Sequence, residues 1–235
     1  MKHSIKIGLY SLCALLVVAC TKQQTVAERK AEKRQQDSIA LVEQERTLAY
    51  YDSLQQVLSP QLDMLLPRFR YEKEAQYESH GHYVHRLLRT TNNTARNYIQ
   101  TYVRDDCRTI VRFFYYGNCP LGFERVTLSS DSLHTAFEGH SHAFEAGGWH
   151  ETLTIEGDEA LQCLHFIDVY QPQRIRVVLE GRKSRAVYYL SQADKEALME
   201  TYRLGMAMWD MQEIEERIHQ TSIQIGKYQK RLEKR

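Results

Sequence analysis

The sequence lacks the short motifs that mark several classes of enzyme and nucleotide-binding protein. It has no Gly-x-Ser-x-Gly motif, no cysteine–histidine pairing typical of a nucleophile, and no glycine-rich loop before a helix. Basic and acidic side chains nearly balance, at a formal net charge of +1. Such a chain lacks the basic field that binds nucleic acid, so we expect no nucleic-acid partner.

Long apolar runs are also missing, apart from one at the start of the chain. After Lys2 and Lys6, the residues from Ile7 to Val18 are mostly apolar. A run of about 12 residues is shorter than the roughly 20 that a membrane-spanning helix needs. A basic start, a short apolar run and small residues before a cut predict a cleaved secretory signal.

The residues at the end of this signal carry a family resemblance. Val17-Val18-Ala19-Cys20 resembles the bacterial lipobox. The resemblance implies removal of residues 1–19, acylation of Cys20 (a palmitate-type modification), and anchoring in a lipid bilayer by more than one acyl chain. Thr21 is not the aspartate of inner-membrane retention, so we predict the outer membrane, facing the periplasm. The alternative is a soluble-secretion signal that happens to end in cysteine.

Three cysteines follow Cys20, and their number leaves at least one thiol unpaired. Cys107 and Cys119 flank a predicted strand, which would place them roughly 30 Å or more apart and out of disulfide range. The cysteines are therefore interpreted as small buried apolar residues.

Glycine and proline are absent from residues 22–58, which are rich in Gln, Glu, Lys, Arg and Ala. This composition predicts a helix whose first half has almost no apolar face and acts as a tether. Its second half carries a seam of leucines that ends at Leu65. Pro60 predicts a kink or a restart of the helix, and Pro67 its end.

Residues 67–190 change to short runs rich in Tyr, Val, Ile, Phe, Thr and Arg, with turn residues between them. This pattern predicts strands. The predicted strands lie near residues 81–90, 96–104, 108–116, 122–129, 132–138, 141–146, 150–156, 160–169, 174–181 and 185–190. Because no helix is predicted between them, an antiparallel β-sandwich or a barrel-like head is expected.

The last segment, residues 191–235, predicts a long helix that begins at a capping arrangement of Ser191 and Asp194. Its apolar positions recur at alternating spacings of three and four residues. They are Leu204, Ala207, Met211, Ile214, Ile218, Thr221, Ile225, Tyr228 and Leu232. This heptad stripe predicts pairing with the N-terminal helix as an antiparallel coiled-coil stalk, or with another chain in a homo-oligomer.

These segments together predict an α+β protein with four parts. They are a lipoprotein signal peptide (residues 1–19), a tether and N-terminal stalk helix (residues 20–66), a β head (residues 67–190) and a C-terminal coiled-coil helix (residues 191–235). The layout resembles uncharacterised envelope lipoproteins of gut-type Gram-negative bacteria. The resemblance concerns architecture and carries no activity or functional residue.

The segment EGHSHAFEAGGWHE contains the best candidates for metal ligands. His140 and His142 can share one face of a strand, and His150, Glu145 or Glu151 could supply a third ligand for zinc or a similar divalent metal. The spacing resembles the cupin pattern, which implies a metal-dependent β-barrel enzyme. However, the glutamate comes early and no Pro-x-Gly turn follows. The competing interpretation is ordinary histidines on half-exposed strands.

Tyrosine is abundant, at fifteen residues, and several tyrosines fall on predicted strands close to arginines. These tyrosines are Tyr98, Tyr102, Tyr115, Tyr116, Tyr188 and Tyr189, beside Arg112, Arg174 and Arg176. Such faces can stack on sugar rings or bind a peptide, although cross-strand aromatic pairs also stabilise sheets. The first hypothesis is a non-enzymatic envelope lipoprotein that contacts a protein or glycan. The alternatives are a metal-dependent enzyme, a glycan-binding module and a structural spacer.

Overall fold

The computed structural model describes residues 25–73, 79–88, 96–131 and 133–234. Helix α1 spans Val26–Leu65 and continues into a short 3-10 helix at Leu66–Arg68. Helix α2 spans Asp158–Val169 and helix α3 spans Gln192–Glu233. Within the described ranges, no helix combines the length and apolar character that crossing a bilayer requires.

Ten strands in the described residues form two antiparallel sheets. The first five strands are β1 (Phe69–Glu72), β2 (His82–His85), β3 (Tyr98–Arg104), β4 (Thr109–Gly117) and β5 (Phe123–Ser130). The others are β6 (Leu133–Glu138), β7 (His142–Glu145), β8 (Trp149–Glu156), β9 (Arg176–Gly181) and β10 (Arg185–Tyr189). The six-stranded sheet has the order β1-β2-β3-β4-β8-β7, and the four-stranded sheet has the order β10-β9-β5-β6.

The two sheets share one hydrophobic core. Strand β8 illustrates the alternation that builds it, because Leu153 and Ile155 are buried while Thr154 and Glu156 on the opposite face are exposed. The six-stranded sheet contributes Ile99, Val111, Phe113, Leu153 and Ile155 to the core, and the four-stranded sheet contributes Val126, Leu128, Phe137, Val177 and Leu179. The face of the six-stranded sheet that carries these residues is its inner face, and the opposite one is its outer face.

The segment predicted as a strand at residues 160–169 is wrong, because it forms helix α2. Its buried residues are Ala160, Cys163, Leu164 and Ile167, all of them in the core. Their spacing of three, four and seven residues is helical and does not alternate. Asp158 and Glu159 in the first turn also favour a helix start, because their negative charges interact favourably with the positive end of the helix dipole.

Helix α3 begins at the predicted cap and packs closely on the six-stranded sheet. The Asp194 N–H donates to Ser191 Oγ, and the Ser191 N–H donates to Asp194 Oδ2, each at 3.1 Å, which confirms the capping box. Gly205 faces Thr109, whose Oγ1 would lie 2.5 Å from an added Cβ. Glycine at this position therefore allows the helix backbone to approach strand β4.

The predicted sandwich or barrel-like head with an antiparallel two-helix coiled-coil stalk is also wrong, although the α+β class holds. The structure has a third helix, α2, and sheets of six and four strands. Helix α3 starts inside the β core, where Leu198 and Leu204 are fully buried. Helix α1 has one fully buried residue among those described, the charged Asp37, and its half-buried Leu62 and Leu65 pack on a cluster that includes Phe69 of β1 and Val103 of β3. The heptad pattern identifies which face of α3 is buried but does not identify the element that covers this face.

The chain divides into two compact units, and both long helices contribute to each. One unit holds the described residues up to Tyr51 together with those from Arg217 onward, and the other holds Asp52–Glu216. In the smaller unit, Arg231 Nη1 lies 3.9 Å from Asp37 Oδ1. All ten strands and α2 belong to the larger unit, which is the part considered below.

Candidate functional site

Five rings on the outer face of the six-stranded sheet form two groups, which we name together the aromatic row. They are Tyr98, Phe114, Tyr116, His150 and Phe144. Tyr98 stacks on Phe114 with ring centroids 4.3 Å apart. His150 lies between Tyr116, at 5.0 Å, and Phe144, at 4.9 Å. The row crosses β3, β4, β8 and β7, because residues at alternate positions of paired strands share a face.

The hairpin between β7 and β8 holds one end of the aromatic row in place. Phe144 pairs with His150 across the two strands, and a tight turn at residues 146–148 connects them. Gly148, at φ 152°, lies beneath the ring of Tyr116, where an added Cβ would come within 2.5 Å of that ring. The Tyr116 hydroxyl donates to the Gly147 carbonyl at 3.2 Å. The turn thereby fixes the position of Tyr116.

A cleft of about 310 Å³ opens on the same outer face, toward β1 and β2. Its lining residues are Ser79, His80, His82, Tyr102, Arg104, Ile110, Arg112 and Glu156. The Arg112 guanidinium lies over the Tyr102 ring at 5.0 Å, and His82 contacts the same ring at 4.7 Å. Arg112 and Phe114 are two residues apart on β4, so the cleft and the aromatic row are adjacent.

Asp105 organises one end of the cleft through three hydrogen bonds. Its carboxylate accepts the Gly81 N–H at 2.9 Å, a bond from His80 Nδ1 at 2.9 Å and the Tyr71 hydroxyl at 3.0 Å. The backbone N–H of Gly81 contributes most to lowering the pKa of Asp105 to about 2, and His80 and Tyr71 add to the shift. The bond to Asp105 in turn raises the pKa of Tyr71. Asp105 therefore stays charged, and His80 is held at the cleft.

The other carboxylates near the cleft have cationic partners. Asp106 accepts a bond from Arg104 Nη2 at 2.8 Å, and Glu156 lies 3.4 Å from Arg108 Nη1. Within the described residues, Arg112 has neither a hydrogen bond nor an ion pair, and its one contact of this kind is with the Tyr102 ring. The buried Nε of Arg104 also lacks a hydrogen-bond partner there. The cleft thus contains unused donors and one cation without a counter-ion.

The structure separates the predicted histidine ligands. His142 and His150 lie on the outer face, on neighbouring strands, with Phe144 stacked against His150, and His140 lies in the loop before β7. Within the ranges that the structure describes, no group of three His, Cys, Asp or Glu residues could hold a metal ion. A zinc site at His140, His142 and His150 stays a prediction without geometric support.

Glu151, considered from the sequence as a further metal ligand, has a different role here. It points to the inner face and is fully buried. Its carboxylate accepts hydrogen bonds from the backbone N–H groups of Leu121, Gly122 and Phe123, and from the Ser141 hydroxyl at 3.1 Å. Glu151 therefore joins β8 to the chain that enters β5. Through this bond to Glu151, the side chain of Ser141 points inward, although Ser141 lies between His140 and His142.

A second cluster of titratable groups lies under the other face of the sheet. Buried His85 contacts Glu200 at 2.6 Å, and Arg68 binds the second oxygen of Glu200. The Leu87 N–H donates to His85 Nδ1, so the ring proton is on Nε2 and points to Glu200. Burial, together with nearby Arg68, lowers the pKa of His85. Arg68, His85 and Glu200 thus bond to one another and to the Leu87 backbone. We therefore assign this cluster a structural role.

The predicted tyrosines do not form one platform. Tyr98, Tyr102 and Tyr116 lie on the outer face with Arg112, whereas Tyr115 and Tyr188 pack against the core. Arg174 lies 3.7 Å from the Tyr189 ring, on the four-stranded sheet. The predicted set of aromatic residues did not include Phe114 or Phe144. Alternation along β4 could have revealed Phe114, but the strand register was needed for Phe144.

Cys20 and the signal segment lie outside the described residues. No protein-family model, curated protein or solved structure matches this chain.

Proposed function

We propose that this chain is a lipid-anchored protein of the cell envelope that binds a glycan, without converting it, on the outer face of its six-stranded sheet. The observation that carries the binding role is the aromatic row beside a polar cleft. The address depends on the lipobox at Cys20, which would hold the protein by acyl chains at the periplasmic face of the outer membrane.

The exposure of the aromatic row supports binding. Phe144 is 59% exposed on the edge strand β7, and the other four rings are half-buried. An aromatic ring left in water costs free energy that a ligand can recover by covering it. Sugar rings present apolar C–H faces that pack on such rings, and ring hydroxyls at their edges that need hydrogen bonds.

Polar groups beside the row fit the hydroxyl-bearing edges of a sugar. Gln100 pairs with Arg112 across β3 and β4, and Thr152 and Thr154 share the outer face on β8. Ligand sites typically combine apolar contact area with a few polar groups that set the orientation. The outer face offers this combination over several strands, which suits an extended saccharide better than a compact ligand.

The test replaces Phe144 with Ala in the full lipidated protein, purified in detergent. Retention on a panel of immobilised bacterial polysaccharides, including peptidoglycan, should fall at least several-fold, since an exposed aromatic contact to ligand is lost. Thermal unfolding should change little, because exposed substitutions cost about 0.5 kcal/mol or less. Binding is measured by co-sedimentation and by titration calorimetry.

Leu133→Ala is the matched control. Leu133 is 51% exposed on β6 of the other sheet, so this variant removes a comparable exposed side chain away from the aromatic row. Its binding should equal that of the wild type. Equal glycan retention by the Phe144 variant and the wild type would place the binding surface elsewhere, and no retention by the wild type would reject glycan binding.

A further inference from the structure

We infer that the cleft beside the aromatic row selects the carboxylate of an acidic saccharide, a polymer or oligomer that contains hexuronate units. This inference depends on the proposed glycan binding. It further specifies that the glycan is negatively charged and names the residue that recognises the charge. Arg112 is the specificity-determining residue in this assignment, and Arg104 and Tyr102 support it.

The charge balance of the cleft indicates one missing negative group. Asp106 is matched by Arg104, Glu156 by Arg108, and Asp105 by its three hydrogen bonds. Arg112 is the remaining cation, without a carboxylate partner in the described part of the chain. A ligand with a single carboxylate in this position would complete the balance, whereas a neutral ligand would leave the guanidinium unpaired.

Geometry favours a planar anion next to a ring. An arginine guanidinium binds a carboxylate through two parallel N–H donors, and its flat face stacks on an aromatic ring. Arg112 is already placed over Tyr102 at 5.0 Å. Arg104 lines the same cleft, but its unpartnered Nε is buried, so Arg112 is the residue that contacts the ligand carboxylate.

The surroundings favour a saccharide over an acidic peptide. Strands β3, β4 and β8 each pair with a neighbour on both sides, so their backbone groups are already bonded to one another. An extended peptide that adds to a sheet gains much of its affinity from unpaired edge groups, which β3, β4 and β8 do not offer. The sheet edge on this side is β7, at the far end of the aromatic row from the cleft. Along β4, the distance from Arg112 in the cleft to Tyr116 in the aromatic row is about 13 Å at ~3.3 Å per residue. This distance exceeds the width of one sugar ring.

The experiment measures binding of galacturonate oligosaccharides and of the same oligosaccharides after reduction of their carboxyl groups to alcohols. Full lipidated protein in detergent is titrated with each at low and at high salt. We expect the acidic form to bind the wild type at least about 10-fold more tightly, since a charge-assisted hydrogen bond contributes that much. Higher salt should weaken the acidic form selectively, because ions screen the exposed charges.

Arg112→Gln should remove this preference and leave binding of the reduced oligosaccharide unchanged, and Arg112→Lys should retain part of the preference. Arg185→Gln, which removes an exposed arginine from β10 of the other sheet, is the matched control and should behave as the wild type. Phe144→Ala should weaken binding of both forms equally. Thermal unfolding of each variant verifies that it is folded.

The outcomes separate this inference from the proposed function. Equal binding of the acidic and reduced forms to the wild type overturns the carboxylate assignment and preserves glycan binding. No binding of either form overturns the hexuronate assignment, and glycan binding is then decided by retention of the wild type on the polysaccharide panel. Tighter binding of a glutamate oligopeptide than of the galacturonate oligosaccharide, lost in Arg112→Gln, replaces the saccharide with an acidic peptide.

Discussion

Glu151 shows how a single buried carboxylate can hold two parts of a fold together. It is 0% exposed, and it accepts bonds from three successive backbone N–H groups and one hydroxyl. Such a charge is tolerated in a core only when its lone pairs are satisfied. Glu151 meets this condition, so it stabilises the entry into β5 instead of acting as a reactive group.

Replacing Glu151 with Gln is expected to destabilise the protein. The side-chain amide nitrogen would face the N–H donors of residues 121–123, which leaves at least one buried donor without an acceptor, at a cost of ~1–3 kcal/mol. Urea denaturation followed by circular dichroism gives the free energy of unfolding. The control is Glu156→Gln on the same strand, where the side chain is exposed and the expected change is about 0.5 kcal/mol or less.

An unchanged midpoint for Glu151→Gln would mean that the carboxylate does not hold the N–H groups of residues 121–123. A loss as large in Glu156→Gln would assign the effect to charge and not to the buried bonds.

The three cysteines of the described region differ in how far they are buried. The three described thiols are free, as predicted, with no disulfide among them. Cys163 is buried in α2, and desolvation raises the pKa of its thiol. Cys119 is exposed and Cys107 is half-buried. The expectation of small buried apolar residues is correct for Cys163 and wrong for Cys119, which lies in the exposed turn that follows β4.

At the scale of elements, two glycines of α3 allow the effect of helix propensity on stability to be compared with the effect of packing. Gly205 faces Thr109, and an added Cβ would lie 2.5 Å from its Oγ1. Gly226, on the same helix, has no atom within 4 Å of an added Cβ. The same substitution is therefore opposed by the sheet at one position and not at the other.

Gly205→Ala is expected to lower stability by ~1–3 kcal/mol through overpacking, even though alanine is the better helix former. Gly226→Ala should be neutral or stabilising by up to ~1 kcal/mol, because only the propensity changes. Thermal unfolding of both variants, followed by circular dichroism, compares them directly. A stabilised Gly205 variant would show that α3 does not approach β4 as closely as described.

At the scale of the whole molecule, the proposed anchor determines where the binding face operates. Cys20→Ser is expected to abolish incorporation of labelled fatty acid and to move the protein from the membrane fraction to the soluble fraction, since stable attachment requires acyl chains. Cys119→Ser, which alters an exposed thiol of the folded region, should leave both properties unchanged. Continued labelling and membrane retention of the Cys20 variant would reject the lipobox.

The sequence alone determined the α+β class, most of the strands and the capping box of α3, because these depend on local patterns of polarity, turn residues and capping residues. It did not reveal α2, since a short run of apolar residues fits a buried strand and a buried helix equally well. Nor did it predict which surface covers the stripe of α3, because a heptad pattern identifies a buried face and not its partner.

The candidate site was decided by tertiary structure. Phe144, His150 and Tyr116 come together only through the pairing of β7, β8 and β4, which brings residues distant in sequence into one register. Among the described residues, Arg112 likewise lacks a carboxylate partner because each neighbouring carboxylate pairs with another cation. Residue types and spacing predict which side chains are available. Strand register and the surrounding charges, which are long-range properties, decide which of them meet.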